Sequence, residues 1–236
     1  MIEIKNLTKE YRHGSLLTKV LTGVSFNIKE GEFVAIMGAS GSGKSTLMHI
    51  MGLLDKPSSG IYKFREKNII DMSDDELARF RNKQVGFIFQ SFNLLARTNV
   101  LENVKLPLVY SGFPDKKEEE MALKALNSVG LSERLEHFPN QLSGGEQQRT
   151  AIARAIVNHP SVLFADEPTG NLDSKSGQQI MEILQKLNNQ GHTVILVTHE
   201  KYTSEMAKRV IQLKDGKIIS DELVACRKFA KDGLLK

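Results

Sequence analysis

The sequence predicts an α/β protein built on a parallel core sheet, and three observations carry that prediction. Four short apolar runs, at residues 33–37, 85–89, 162–165 and 193–198, each stop at a polar or glycine-bearing turn. Runs this continuous suit strands covered on both faces. Between them lie longer segments of helical period, the order of βα units. A third pattern, alternation of apolar and polar residues, appears at residues 2–7 and 20–28 and marks antiparallel strands half-exposed to solvent. With 236 residues, 40% of them hydrophobic, the chain is long enough to bury a substantial core.

In chain order, Ile2, Ile4 and Leu7 face Val20, Val24, Phe26 and Ile28 across a turn at Gly14. Tyr11 lies outside these runs and reads, on its own, as a cap on a sheet edge. Residues 58–70 form a short strand and turn, and Ser73 with Glu76 three residues on makes a capping box that opens a helix. After the strand at 85–89 the composition changes. From Asn99 to about Asn140 the apolar positions (Val100, Val104, Leu108, then Met121, Ala122, Ala125, Leu126 and Val129) recur at helical spacing, which predicts a helical subdomain inserted into the core. Glu118-Glu119-Glu120 within it reads as a solvated helix face. A helix is expected over 147–158 and another over 174–189. An Asp215-Gly216 hairpin joins strands at 209–213 and 217–219. The tail, 221–236, is assigned as helix. The chain thus reads as one domain, 1–236: an α/β core with a β-subdomain in 1–90 and 159–220, the helical subdomain and the helix after it in 91–158, and the tail.

The chemistry starts between the first apolar run and the helix that follows. Gly38-Ala39-Ser40-Gly41-Ser42-Gly43-Lys44-Ser45 is a phosphate-binding loop: its glycines let backbone N–H groups close on an anion, and the helix N-terminus adds its dipole. Lys44 reaches the outer phosphates and Ser45 offers a hydroxyl to Mg²⁺. The expected ligand is a nucleoside triphosphate on a P-loop core. Asp166 and Glu167 then need a reason to stand together at the end of a buried strand. At the ligand crevice of an open α/β sheet, Asp166 holds the metal and Glu167 orients the attacking water. Gln90 and His199, at the ends of two more strands, can reach the metal and the γ-phosphate.

Leu142-Ser143-Gly144-Gly145-Glu146, preceded by Gln90 and followed by Asp166-Glu167, Asn171-Leu172-Asp173 and His199 in that order, resembles the ATP-binding cassette family over the whole chain. The resemblance implies a P-loop NTPase core with an antiparallel β-subdomain and an α-helical subdomain. It implies ATP and Mg²⁺ as ligands, and a second copy of the chain as partner. Two copies then sandwich two ATPs, with Ser143, Gly144 and Gly145 of each capping the γ-phosphate held by the other. It also places Tyr11 on the adenine, adds Thr46 and Asp173 to the nucleotide contacts, and adds Gln90 to the metal set of Ser45 and Asp166. Within the family, residues 87–95, 101–108 and 165–173 are similar to ATPases of the macrolide-exporter and lipoprotein-release types; bacitracin-resistance and cell-division ATPases share much of the wording.

No apolar run approaches the ~20 residues of a membrane helix, and residues 1–5 lack the order of a signal peptide. The chain is expected in the cytoplasm, peripheral on the inner face of the membrane through integral permease subunits. A net charge of +4 with acids and bases interspersed gives no nucleic-acid footprint. The single cysteine, Cys226, excludes an internal disulfide framework. A soluble cassette working on ribosomes or nucleic acid would carry a coiled-coil insertion or a second cassette, and a small-molecule kinase would not need Ser143-Gly144-Gly145. Finally, the loop Ser91 to Leu95 is apolar for a surface connection. Phe92, Leu94 and Leu95 are therefore expected to line a groove for a permease helix, with burial under the helical subdomain as the alternative.

Overall fold

The computed structural model describes residues 1–14 and 16–233. The N-terminal part comprises β1 (Ile2–His13), β2 (Leu16–Ile28), β3 (Phe33–Met37), α1 (Lys44–Met51), β4 (Ser59–Phe64), β5 (Lys67–Asn68), α2 (Asp74–Gln84) and β6 (Val85–Ile88). Three helices follow, α3 (Val100–Val109), α4 (Asp115–Ser128) and α5 (Gly144–Ile156). The chain then returns to the core with β7 (Val162–Asp166), α6 (Ser174–Asn189), β8 (Thr193–Thr198), α7 (Lys201–Ser204), β9 (Arg209–Lys214) and β10 (Lys217–Leu223).

Two sheets result, ordered β10-β9-β3-β8-β7-β6 and β2-β1-β4-β5. In the first, β9, β3, β8, β7 and β6 run parallel and β10 is an antiparallel edge; the second is antiparallel throughout. Alternation along the parallel strands explains why their sequences are apolar throughout. Phe33, Ala35, Leu163, Ala165, Val194 and Leu196 face the helical side, packing with Ile152, Ile180 and Leu184. Val34, Ile36, Phe164, Ile195 and Val197 point the other way, into Leu47, Met48 and Met51 of α1 and Ile2, Ile4, Tyr62 and Phe64 of the second sheet. A polar residue at any of these positions would be buried without a partner.

Local signals place most of the elements. The Ser73–Glu76 capping box forms, the Ser73 N–H donating to Glu76 Oε2 at 2.9 Å. Asp215 and Gly216 take φ of 48° and 72°, the left-handed pair that a two-residue hairpin turn requires. The departures have physical causes. β1 runs on to His13 and β2 begins at Leu16, so the hairpin is longer than its alternating core. Irregular register between Ile4 and Leu7, and again between Lys9 and Glu10, breaks the period that sequence reading follows. α5 starts at Gly144, not Gln147, because Ser143 caps it. Glu118 is not solvated: it is buried where α4 meets α3, and its charge adds to the bond from Glu102 that raises the Lys105 pKa.

The tail is not a helix. Residues 221–223 complete β10, and the rest crosses α6 as a strap with one 3₁₀ turn at Ala230–Asp232. Gln185 anchors it, accepting from the Ala230 N–H at 3.0 Å and donating to the Lys228 carbonyl at 3.0 Å. Residues 234–236 of the assigned helix lie outside the described residues. Cys226 is an exposed free thiol on the strap. Among the described residues no helix is long and apolar enough to cross a membrane.

Asn103, fully buried on α3, fixes the path from the core into the helical subdomain. Its Nδ2 donates to the carbonyls of Leu95, Thr98 and Asn99, and its Oδ1 accepts from the Leu95 N–H at 2.8 Å. Asn103→Ala strands several buried backbone groups and is expected to cost about 2–3 kcal/mol in urea unfolding; an unchanged midpoint would show that water replaces the amide.

Candidate nucleotide site

The loop Gly38–Ser45 runs from the end of β3 into α1 and lines a cavity of about 1110 Å³ together with Thr46, Glu167 and His199. Its shape is held by close backbone packing. A Cβ at Gly38 would collide with the Leu213 carbonyl oxygen and lie 2.6 Å from Ser42 Oγ. Lys44 is buried and its Nζ donates to the Ala39 carbonyl at 2.8 Å, curling the lysine back over its own loop. Ser42 Oγ is buried without a hydrogen-bond partner. A loop closed around free N–H groups of a helix start, with a buried lysine and an unmatched hydroxyl, suits a polyphosphate.

The opposite wall comes from a region that sequence reading missed. Gln212, Leu213, Lys214, Asp215 and Ile219 of the β9–β10 hairpin, with Val20 of β2, complete the cavity. Gly216 is the joint: its N–H donates to the Ser42 carbonyl at 3.1 Å and its carbonyl accepts from the Thr22 N–H at 2.9 Å. The Asp-Gly turn was visible in the sequence; its docking on the loop was not.

At the mouth stand Glu167 and His199, Oε1 and Nδ1 being 2.7 Å apart. Glu167 has φ of 43°, a conformation that costs a non-glycine residue about 1–3 kcal/mol. It is held there by its N–H on the Val197 carbonyl at 2.9 Å and by the Gly170 N–H on its own carbonyl at 3.0 Å. Asp166 beside it is largely withdrawn from water; burial first, then the Glu167 charge, raise its pKa, while His49 and Lys44 pull it down. An acid in that setting favours a cation.

The remaining expected residues lie around this centre. Tyr11 does not line the cavity but stands against Thr46, its hydroxyl donating to Asp55 Oδ2 at 2.8 Å. Gln90 is turned aside: its Nε2 donates to Asn171 Oδ1 at 3.1 Å, and Asn171 Nδ2 returns a bond to the Gln90 carbonyl at 3.1 Å. Asp173 caps α6, accepting from the Ser176 N–H at 2.9 Å. Ser143, Gly144 and Gly145 line none of the chain's own cavity. They form a capped helix start in which Glu146 accepts from the Ser143 N–H at 2.9 Å and from Arg134 Nε at 3.0 Å.

A second concavity, about 680 Å³, separates the core from the helical subdomain and is lined by Phe87, Phe89, Leu106, Pro107, Tyr110 and Arg154 among others. Of the loop 91–95 only Asn93 reaches it. Phe92 packs on the helical core instead, because Arg154 grips the Phe92 and Asn93 carbonyls at 2.7 and 2.5 Å and holds both residues at positive φ. Phe92, Leu94 and Leu95 thus lie outside this concavity, Phe92 half-buried and Leu95 exposed.

Residues 21–170 match the family described as ABC transporter. This chain belongs to that family. The cassette is 57% identical over 221 residues to the macrolide export ATP-binding/permease protein MacB of Chlorobaculum tepidum, and 56% identical over 224 residues to that of Bdellovibrio bacteriovorus. In each case the match takes in 94% of this chain and 34% of the relative, so the chain spans about a third of their length. Among solved structures it superposes on the ATP-binding cassette MJ0796, described as a dimer in a post-hydrolysis state bound to ADP and Pi, with a TM-score of 0.88 and 45% identity over 96% of this chain and 100% of that one. A cassette of the CbiONQ transporter from Clostridium perfringens matches at 0.84 and 31%, over 94% and 88%. The α/β architecture with its P-loop core and two subdomains is that of an ABC ATPase cassette.

The cap at Ser143, the signature turn that opens α5 (the signature helix), carries a pH signal. Bonds from the Ser143 N–H, then from Arg134, lower the Glu146 pKa from 4.5 to about 2 against a smaller opposing effect of burial. With the folded value below the unfolded one, its stabilisation is complete above about pH 4.5 and is lost as pH falls toward 2. Glu146→Gln is expected to flatten the acid limb of stability in that window, followed by urea unfolding at a series of pH values; an unchanged limb would assign the acid sensitivity elsewhere.

Proposed function

We propose that the cassette binds MgATP on Gly38–Ser45, that two copies close over two nucleotides, and that hydrolysis drives a membrane permease of the macrolide-export or lipoprotein-release type. The cargo would be a drug, peptide or lipoprotein handled at the membrane, with the cassette on its cytoplasmic face. The observation that carries the chemistry is the Glu167–His199 pair at the mouth of the P-loop cavity.

In this reading Lys44 and the loop N–H groups would hold the phosphates, and Ser45, Asp166 and Gln90 would hold Mg²⁺, which would supply neutralisation of the phosphate charge. Glu167, fixed by its backbone and by His199, accepts a hydrogen bond from the attacking water and points it in line with the leaving group. His199 lines the same cavity, from which it would donate to the γ-phosphate. Gln90 would meet the metal through Oε1, the amide atom that takes no part in its bond to Asn171, so the 171–173 turn would set the orientation of that oxygen. Tyr11 and Thr46 face the base and phosphates. Ser143, Gly144, Gly145 and Asp173 would act on the other copy's nucleotide: this helix start lies outside the chain's own cavity, and its N-terminal dipole favours an anion. The groove with Phe87, Phe89 and Leu106 receives the permease, beside Tyr110, which is 77% exposed.

Glu167→Gln keeps the shape but not the base. It is expected to bind MgATP normally, slow hydrolysis about a hundredfold or more, and accumulate as an ATP-loaded dimer seen by light scattering. Loss of ATP binding comparable to that of Lys44→Ala would make Glu167 structural.

A further inference from the structure

Tyr11 is held at several points. Its hydroxyl donates to Asp55 Oδ2 at 2.8 Å and lies beside Thr46. Lys9, two residues earlier on the same face of β1, is 9% exposed and donates from Nζ to Asp55 Oδ1 at 2.6 Å and to the Lys56 carbonyl at 2.7 Å. The same ammonium lies 4.8 Å from the centre of the Tyr11 ring. Asp55 follows the end of α1, so one carboxylate ties the strand carrying Tyr11 to the helix that the P-loop opens. Both its oxygens are engaged, and the Lys56 N–H adds a third bond at 2.7 Å.

We propose that Asp55 and Lys9 are positioning residues for nucleotide binding, holding the Tyr11 ring as a preformed platform for the adenine. The inference rests on the reading that Tyr11 faces the base. Lys9 covers one face of the ring, which leaves the other for a base to stack on, and the tethered hydroxyl prevents the ring from swinging away. Free side chains pay rotamer entropy when a ligand immobilises them; here that ordering is complete before ATP arrives. Because Asp55 stands one turn beyond α1, the platform is also tied to the helix that the phosphate loop opens. Neither residue carries a phosphate-binding or catalytic motif, and neither lines the cavity.

The test compares binding of ATP with binding of inorganic tripolyphosphate, which occupies the loop but has no base. Tyr11→Ala, Tyr11→Phe, Asp55→Ala and the double variant Tyr11→Phe/Asp55→Ala are titrated as full-length chains in the presence of Mg²⁺. Tyr11→Phe, which deletes one oxygen and leaves the ring, and Asp55→Ala are each expected to weaken ATP about three- to tenfold, with no change for tripolyphosphate. The double variant should be no worse than the weaker-binding single one, since both remove the same tether. Equal losses for tripolyphosphate would make Asp55 a support of the loop and overturn the proposal. Wild-type ATP affinity in Tyr11→Phe and Asp55→Ala, with a loss in Tyr11→Ala, would overturn the tether while sparing the platform. An unchanged Tyr11→Ala would remove the platform itself.

Discussion

The close approach of backbone around Gly38 and Gly216 is the constraint on which the site depends. The P-loop cannot be packed as an ordinary loop, because its N–H groups must stay turned inward toward an anion, so its shape has to be enforced from outside. Leu213 of β9 presses where a Gly38 side chain would be, and Gly216 bonds Ser42 on one side and Thr22 on the other. The hairpin thus joins the core sheet, the β-subdomain and the loop at one point. Lys44, folded onto the Ala39 carbonyl, is stored in the same structure, and Thr46 meets the Tyr11–Asp55 tether a turn away.

A second set of contacts carries the turn after β7. Gln148 of α5 donates to the Pro168 carbonyl at 2.8 Å, Asn171 exchanges bonds with Gln90, and Glu167 hangs from Val197 of β8. The turn that presents Glu167 is therefore supported by the signature helix, by the strand end before the helical subdomain and by the neighbouring core strand. Arg154, on the same helix as Gln148, holds the loop beyond Gln90 and also lines the subdomain groove. In the proposed function, a permease seated in that groove touches the helix whose first turn faces the partner's nucleotide, with no long relay needed.

Much of this was legible because burial leaves a plain record in sequence. The strands of the core sheet, β3 and β6 to β8, show as apolar runs because both faces are covered, and the capping box at Ser73 announces its helix, whereas the one at Ser143 went unread and the start of α5 was placed three residues late. The P-loop and the acids after β7 are local patterns whose chemistry can be named from residue type. What was not legible depended on contacts distant in sequence. Nothing near Leu213 or Asp215 says that the hairpin will roof the P-loop. Glu118 looks like its exposed neighbours and is buried only because α3 lies over it. The tail reads as weakly periodic, yet Gln185, more than forty residues before Ala230, straps it down. Phe92 looked available for docking until Arg154, 62 residues away, turned it inward.

The most direct test of the shared site mixes two inactive cassettes. Lys44→Ala disables a chain's own loop and leaves its signature turn intact; Ser143→Arg does the reverse. If each site is built from two chains, either variant alone hydrolyses ATP at a small fraction of the wild-type rate. A mixture, by contrast, forms heterodimers with one complete site, in which the loop of the Ser143→Arg chain meets the intact Ser143 of the other. Recovery of turnover on mixing, rising with protein concentration, is the expected result. A mixture no more active than its components, with ATP binding to the Ser143→Arg chain preserved, would contradict it.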